Sequence, residues 1–459
     1  MFASASGSAS AAAVEAIPYK RIIKTRVGRT CVDYDLASWT RLMQQPRRDW
    51  SAEASGIPLS AVRVAALECC REFLRRGSDD SGLGEATNED FLRRLWAVHT
   101  DGSLTNAGAL LFVLRPDPAL DYIRRLAPGG DSLLRVRNPE VSVLEQLREV
   151  ELAFRSSNTI AHVPAGLATA QIPALPFRAF RQSVVNRLAH RSWTLAEATI
   201  VEHVGSTVTV TSPGGLPAGV TPENIITHPS LPPNRRLAEI LAKLRMAERE
   251  GIGIDRIVGD MLAQGHDLPV ISEEAGPMVR VALLGGDPDA EWLALLSRLR
   301  PADAVANLDY LLLLKTVLTV GWLDAASATK PLQKSAPECL HALRGLSAVA
   351  IDTEPVLTQV KGIPVGSPPA WRPSRALRRA TPKATKVLQA PRNRANVARM
   401  WANARGRVSS NELADLVQTQ ANFAGRVLKD LQEEGELRGS SDSGMGRGFH
   451  YIPVIRPQG

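Results

Sequence analysis

The stretch "RQSVVNRLAHRSW", residues 181–193, carries side chains whose types and spacing suit chemistry. Phe177, Phe180, Val184 and Leu188 fall on one apolar helical face. Beside that face Arg178, Gln182, Asn186 and His190 recur at steps of four. An Asn and a His four residues apart share one face of a helix. An inward-facing Asn amide oxygen there can hold Mg²⁺, which in turn holds phosphate oxygens. Two Gly-rich loops follow, "SPGGLP" from Ser212 and "EGIGI" from Glu250. At such loops backbone amides can approach a nucleotide closely. The second precedes "DRIVGDML", a helix whose N-terminus favours phosphate. Alone, a polar stripe is a solvent face and Gly-Gly is a turn. In this order they mark a nucleotide site, with Asn186, His190, Gly214, Gly215, Gly251, Gly253 and Arg256 as candidate binding residues and Asn186 as the candidate metal ligand.

The elements that must position them form an α/β segment over residues 170–288. Its opening helix is followed by "TIVEHVGSTVTVTS", a hairpin in which Val208 and Val210 alternate with threonines. A Gly/Pro loop starts at Pro213, a helix runs from about Asn234 to Glu248, and a strand starts at Met278. In front, residues 1–18 lack the basic head and leucine-rich core of a secretory signal and read as a disordered leader. "YKRIIKTRVGRT" alternates as a strand. Residues 51–118 form a helical, winged-helix-like unit in which Thr87 and Asp90 have capping-box spacing. Residues 119–169 read as a connecting α/β segment.

A chain of 459 residues, 44% hydrophobic and 22% charged, fits a globular protein of several domains. The longest apolar run, Tyr310 to Leu323, is too short for a bilayer and contains Lys315, so it reads as a buried helix. Cys69 and Cys70 are adjacent, while Cys31 and Cys339 are isolated; neither a disulfide scaffold nor metal-ligand spacing results. The expectation is a reduced, cytoplasmic protein without a membrane partner.

The C-terminal third changes character. "PPAWRP" opens a basic Pro-rich linker over residues 367–391, and from Arg372 to Arg407 there are eleven Lys/Arg and no acid. Residues 392–459 then read as three helices and a β-wing, a winged helix-turn-helix. Near the start of its third helix Gln418, Thr419, Gln420, Asn422 and Arg426 would face base edges, with Lys429 and Arg447 on phosphates. Double-stranded DNA is the implied partner, and operator symmetry implies a homodimer. Winged helices also serve protein–protein contacts. Residues 289–366 are a fainter version, a winged helix or a packing module, with Pro331 and Pro337 weakening its helices.

The central order of motifs resembles the divergent ATPase domain of the GHKL superfamily, the Bergerat fold of gyrase and histidine kinases. It is most similar to a bacterial family of ATP-binding proteins and transcriptional regulators with a Schlafen-type AlbA domain in front. That family's helix reads Arg-Glu-Ala-Leu-Val-Asn-Ala-x-x-His-Arg-Asp-Tyr, here "RQSVVNRLAHRSW". Its Asn-Pro-Gly-Gly-Leu-Pro loop stands as "SPGGLP", and its Glu-x-Gly-Ser/Thr-Gly-Ile-x-Arg-Ile loop as "EREGIGIDRI". Its Leu-Thr-Asn-Ala-Gly segment is matched by Leu104 to Gly108. The resemblance spans roughly residues 20–290. It implies an α+β multidomain chain: a central GHKL-like α/β sandwich, helical and winged-helix flanking modules, and ATP with Mg²⁺ as ligands.

The departures concentrate at one site. Gln182 replaces the Glu that would activate water, and an amide is no general base. Ile252 replaces the hydroxyl residue between the loop glycines, and Ser192-Trp193 replace Asp-Tyr. At the front, residues 19–50 match only the last strand and following helix of the AlbA domain, without the carboxylates a metal-dependent nuclease needs. The resulting expectation is a DNA-binding regulator with a degenerate ATP-binding sensor domain. The alternatives are a slow ATPase in DNA transactions or phage defence, with Glu202 or Asp255 as base, and a DNA-tethered scaffold without ligand.

Overall fold

The structure, a computed structural model, describes residues 24–27, 30–33, 49–75, 82–165, 168–217, 220–228, 232–246, 253–274, 276–441 and 448–454. Two compact units divide the chain after Trp50. In the first, β1 (Lys24–Val27) and β2 (Thr30–Asp33) form an antiparallel hairpin. The leader predicted over residues 1–18 and the helix expected after β2 lie outside the described residues.

The second unit begins with three helices, α1 (Val64–Arg75), α2 (Asn88–Arg94) and α3 (Asn106–Phe112). Thr87 Oγ1 accepts from the Asp90 N–H, capping α2. Next come β3 (Leu120–Arg125), β4 (Ser132–Val136), α4 (Val143–Ser157), a separate hairpin β5 (Ile160–Ala165)–β6 (Ala168–Pro173), and α5 (Phe177–His190). The chain continues through β7 (Thr199–Val204), β8 (Thr207–Pro213), α6 (Arg235–Lys243), α7 (Ile254–Ala263), β9 (Val270–Glu274) and β10 (Met278–Leu284).

These strands build one mixed six-stranded sheet in the order β4-β3-β7-β8-β10-β9, parallel only between β3 and β7. Residues 119–169, expected as a connection, therefore supply two strands of the central sheet. The strand period of two sorts the faces. Val201 pairs with Val210 and His203 with Val208, and all four are buried. Phe154 of α4 stacks on Phe180 of α5 at 3.7 Å and lies 5.6 Å from the His203 ring, so both helices cover that face. Glu202 and Thr209 pair on the opposite face.

Beyond the sheet lie α8 (Ala290–Arg298), β11 (Leu299–Arg300), α9 (Leu308–Val320), β12 (Leu323–Asp324), α10 (Thr329–Leu332) and α11 (Ala336–Ala348). Then follow β13 (Ala350–Ile351), β14 (Glu354–Pro355), β15 (Leu357–Gln359) and β16 (Ala370–Pro373). The small sheet β12-β16-β15 closes this module. Its core is continuous with Val258 and Leu262 of α7, and Trp292 Nε1 donates to the Leu262 carbonyl at 2.7 Å. Pro337 does not interrupt its helix: it sits in the first turn of α11, where its missing N–H costs no helical bond, while Pro331 lies in the short α10.

The last module contains α12 (Arg375–Ala380), α13 (Pro382–Gln389), α14 (Pro391–Arg405), α15 (Ser410–Val417), α16 (Ala421–Glu433), β17 (Leu437–Gly439) and β18 (Tyr451–Pro453). Val408 bridges Tyr451, and β18 pairs with β17. Both modules thus run helix, strand, helix, helix, hairpin. Residues 367–391 are not a linker. Every residue of β16 is buried, and α12 and α13 follow it. Trp322 packs edge-to-face on Trp401 at 4.8 Å across the two modules. Two buried ion pairs flank that contact, Arg405–Asp324 at 2.7 Å and Arg372–Asp415 at 2.7 Å. Among the described residues no helix is long and apolar enough to cross a membrane.

Candidate functional site

Helix α5 is the spine of the candidate nucleotide site. Its apolar face is buried against the sheet, and its polar stripe turns toward α7, where Arg178 meets Asp260 at 3.3 Å. One turn on, Gln182 is only 2% exposed and its Oε1 has no hydrogen-bond partner. Asn186 comes next, half-buried, facing Gly253 at the N-cap of α7. A Cβ on Gly253 would stand 2.5 Å from Asn186 Nδ2 and 3.1 Å from Oδ1. A side chain at 253 would make the Asn186 amide move aside. The structure therefore brings together two candidates that are far apart in sequence. The predicted Gly251, and Ile252 beside it, lie outside the described residues.

His190 ends the stripe at the last residue of α5. Burial, reinforced by the positive charge of Arg187, pushes its imidazole down to about 4, so it is neutral at pH 7. Arg187 stands where the resembled family has Ala. It is 5% exposed, its Nε has no partner among the described residues, and burial lowers its guanidinium to about 10. A sealed guanidinium without a carboxylate partner is a strong attractor for an anion. Arg191, by contrast, is structural. It donates to the Ala119 and Leu195 carbonyls at 3.2 Å each and lies 4.4 Å over the Trp193 ring.

The "SPGGLP" glycines serve close chain packing. Gly214 has φ +103°, and a Cβ there would stand 2.9 Å from the Ser192 amide just past α5. Gly215 lies against Glu273, whose Oε1 accepts the Leu216 N–H at 3.0 Å. Arg256 lies in the first turn of α7, with its backbone N–H donating to Asp255 Oδ1.

A residue the motif search passed over is Asn234. It is 5% exposed, and its Nδ2 donates to the carbonyls of Ala189 and Arg191 at 2.9 Å each. It thereby ties the start of α6 to the end of α5. The sequence alone places Asn234 at the start of α6 and assigns it no partner. The proposed bases fare differently. Glu202 is on the sheet face opposite α5, and Asp255 is engaged by the Arg256 amide. A cavity of about 320 Å³ bordered by Arg148, Glu151, Leu152 and Arg155 of α4 contains none of the predicted residues.

At the C-terminus, Gln418 takes a left-handed conformation, φ +53°, between α15 and α16. Its Nε2 folds back onto the Asp415 carbonyl. Gln420, Asn422, Arg426 and Lys429 are exposed, and Thr419 is half-buried. Lys429 is 3.7 Å from Glu433 one turn along. Arg447 lies outside the described residues. Arg394 of α14 lies 5.0 Å over the exposed Phe423 ring, a neighbour of this face that the sequence did not signal. Much of the basic run has internal partners: Arg372 with Asp415, Arg379 with Glu354, Arg399 with Glu436, Arg405 with Asp324 and Arg407 with Glu412.

Residues 201–283, from β7 to β10, match the family described as "Putative ATP-dependent DNA helicase recG C-terminal". The central domain is ATPase-like. The match begins beyond α5, so Asn186 and Arg187 lie outside it. The crystal structure of the DIP2311 protein from Corynebacterium diphtheriae is similar to this chain, with TM-score 0.79 and 26% identity. The likeness covers 95% of this chain and 76% of that one. No curated protein matches.

Proposed function

We propose that this protein binds duplex DNA through its last module, as a regulator whose ATPase-like domain binds nucleotide without hydrolysing it. The observation that carries the DNA reading is the exposed start of α16. Gln420, Asn422 and Arg426 follow a tight left-handed turn there, on the third of three helices that precede the β17–β18 pair, an order we take for a winged helix. Carboxamide and guanidinium groups match the donor and acceptor pattern of base edges in the major groove. A homodimer is the assembly that operator symmetry favours.

Nucleotide binding is supported by the family match, by the Asn186–Gly253 approach and by the unpaired Arg187. Asn186 Oδ1 is the residue here that would hold Mg²⁺, an ion that neutralises phosphate charge. Arg187 supplies positive charge from the protein itself. Non-hydrolysis follows from the residues present: Gln182 cannot take a proton from water, Glu202 faces away, and Asp255 already accepts from Arg256.

Titration of a fluorescent duplex at two salt concentrations tests the reading. Affinity should fall by about 10²-fold or more between 50 and 200 mM salt, as counterion release requires. Arg426→Ala should weaken binding by about tenfold, the lower end of what one base-contacting arginine contributes. Salt-insensitive binding, or binding indifferent to Arg426→Ala, would assign α16 to a protein contact.

A further inference from the structure

The connection from β8 to α6 touches the candidate nucleotide site at both ends. It starts at Gly214, packed on Ser192, and finishes at Asn234, bonded to the end of α5. Its middle is held by a different module. The Ile226 N–H donates to Gln333 Oε1 at 2.8 Å, Gln333 Nε2 donates to the Pro222 carbonyl at 3.0 Å, and Thr227 Oγ1 donates to the Gln333 carbonyl at 2.8 Å. Ile226 also packs against that module's core.

One residue makes all three bonds. Gln333 sits in the turn between α10 and α11 with φ +54°, a conformation that a side chain with a Cβ adopts at a cost. This turn belongs to the first of the two tandem modules. That module is fixed to the second by the Trp322–Trp401 contact and the Arg405–Asp324 and Arg372–Asp415 pairs. Gln333 thus bonds the connection that adjoins the glycine loop to a module that is itself in contact with the module carrying α16.

We infer that Gln333 is a latch that couples nucleotide binding in the ATPase-like domain to DNA binding by α16. The inference rests on the function proposed above and adds its route of regulation. Coupling of this kind is reciprocal: whatever factor nucleotide applies to DNA affinity, DNA applies to nucleotide affinity. It needs a physical element that both sites bias, and the latched connection is that element.

The test uses the full chain and Gln333→Gly, which keeps the left-handed turn and removes the amide. In the wild type, Mg-ATP should change duplex affinity by about fivefold or more. In Gln333→Gly both affinities should remain within the wild-type range while the ATP effect shrinks to less than about twofold. An undiminished ATP effect in the variant would overturn the latch. Hydrogen exchange of residues 222–227, without DNA or ATP, provides a second readout. It should accelerate by about tenfold in Gln333→Gly, and in Thr227→Val from the other side of the contact. Unchanged exchange in both variants would also overturn the latch. If the wild type ignores DNA or ATP, the proposed function fails and the latch falls with it; accelerated exchange then shows only that Gln333 holds the connection.

Discussion

The carboxamide of Asn186 lies against the α-carbon of Gly253, so that helix α5 and the start of α7 meet closely through that one side chain. Gly253→Ala would drive a methyl group into that amide. It should destabilise the protein by about 1 kcal/mol, the low end of overpacking because the amide is the movable end of a side chain, measured as a lower midpoint in urea. Asn186→Ala combined with Gly253→Ala should recover part of the loss. A double-mutant cycle with no coupling between the two would contradict the contact.

Arg187 gives a prediction of the opposite sign. Removing a buried charge that has no partner relieves desolvation, so Arg187→Met should be neutral or stabilising by about 1–2 kcal/mol in anion-free buffer. The wild type should gain thermal stability from phosphate or ATP, because ligands of the native state stabilise it. The variant should lose that gain. Equal responses of both proteins to phosphate would remove Arg187 from the site.

His203 is buried, lies 2.8 Å from the Tyr122 hydroxyl through Nδ1, and is pushed down to about 4 by burial and by the charge of Arg124. His190 is held down to about 4 as well. Both titrate below the ordinary histidine range in the folded chain, so the unfolded chain binds more protons between about pH 6.5 and 4. Stability is complete above that window and falls as pH drops through it. Each histidine removes about 3 kcal/mol of stability by pH 4. His203→Gln should flatten the dependence, as read from denaturation midpoints between pH 7 and 4.

The tandem modules are joined through buried charge. Asp415 accepts from Arg372 Nε at 2.7 Å and Nη2 at 2.9 Å, and from the Lys361 N–H at 3.0 Å. Asp415→Ala leaves Arg372, 7% exposed, without its counter-ion. A loss of about 3–5 kcal/mol is expected, with faster proteolysis between residues 360 and 372. Proteolysis at the wild-type rate would show that the modules dock by other means.

Much of the central domain was legible in the sequence because its signals are local. The Val/Thr alternation of β8, the apolar stripe of α5 and the glycine loops each lie within a short span. Their meeting was less legible. Asn186 and Gly253 have no sequence signal for contact, and nothing in the sequence marks Asn234, at the start of one helix, as bonded to the end of another. The C-terminal half misled for a physical reason. The run from Arg372 to Arg407 contains no acid, yet its partners Asp324, Glu354, Glu412, Asp415 and Glu436 lie on either side of it in the chain. "PPAWRP" read as linker by its prolines. Ala370 and Trp371 in fact pair with β12 and β15 inside a core, which periodicity over four residues cannot report.

The most direct measurement is the affinity of the wild-type chain for a fluorescent duplex with and without Mg-ATP, at fixed salt, with phosphate release followed in the same samples. The account predicts a shift of about fivefold or more in duplex affinity and no phosphate release above background. Identical affinities with and without Mg-ATP, or steady phosphate release that Asn186→Ala abolishes, would contradict it.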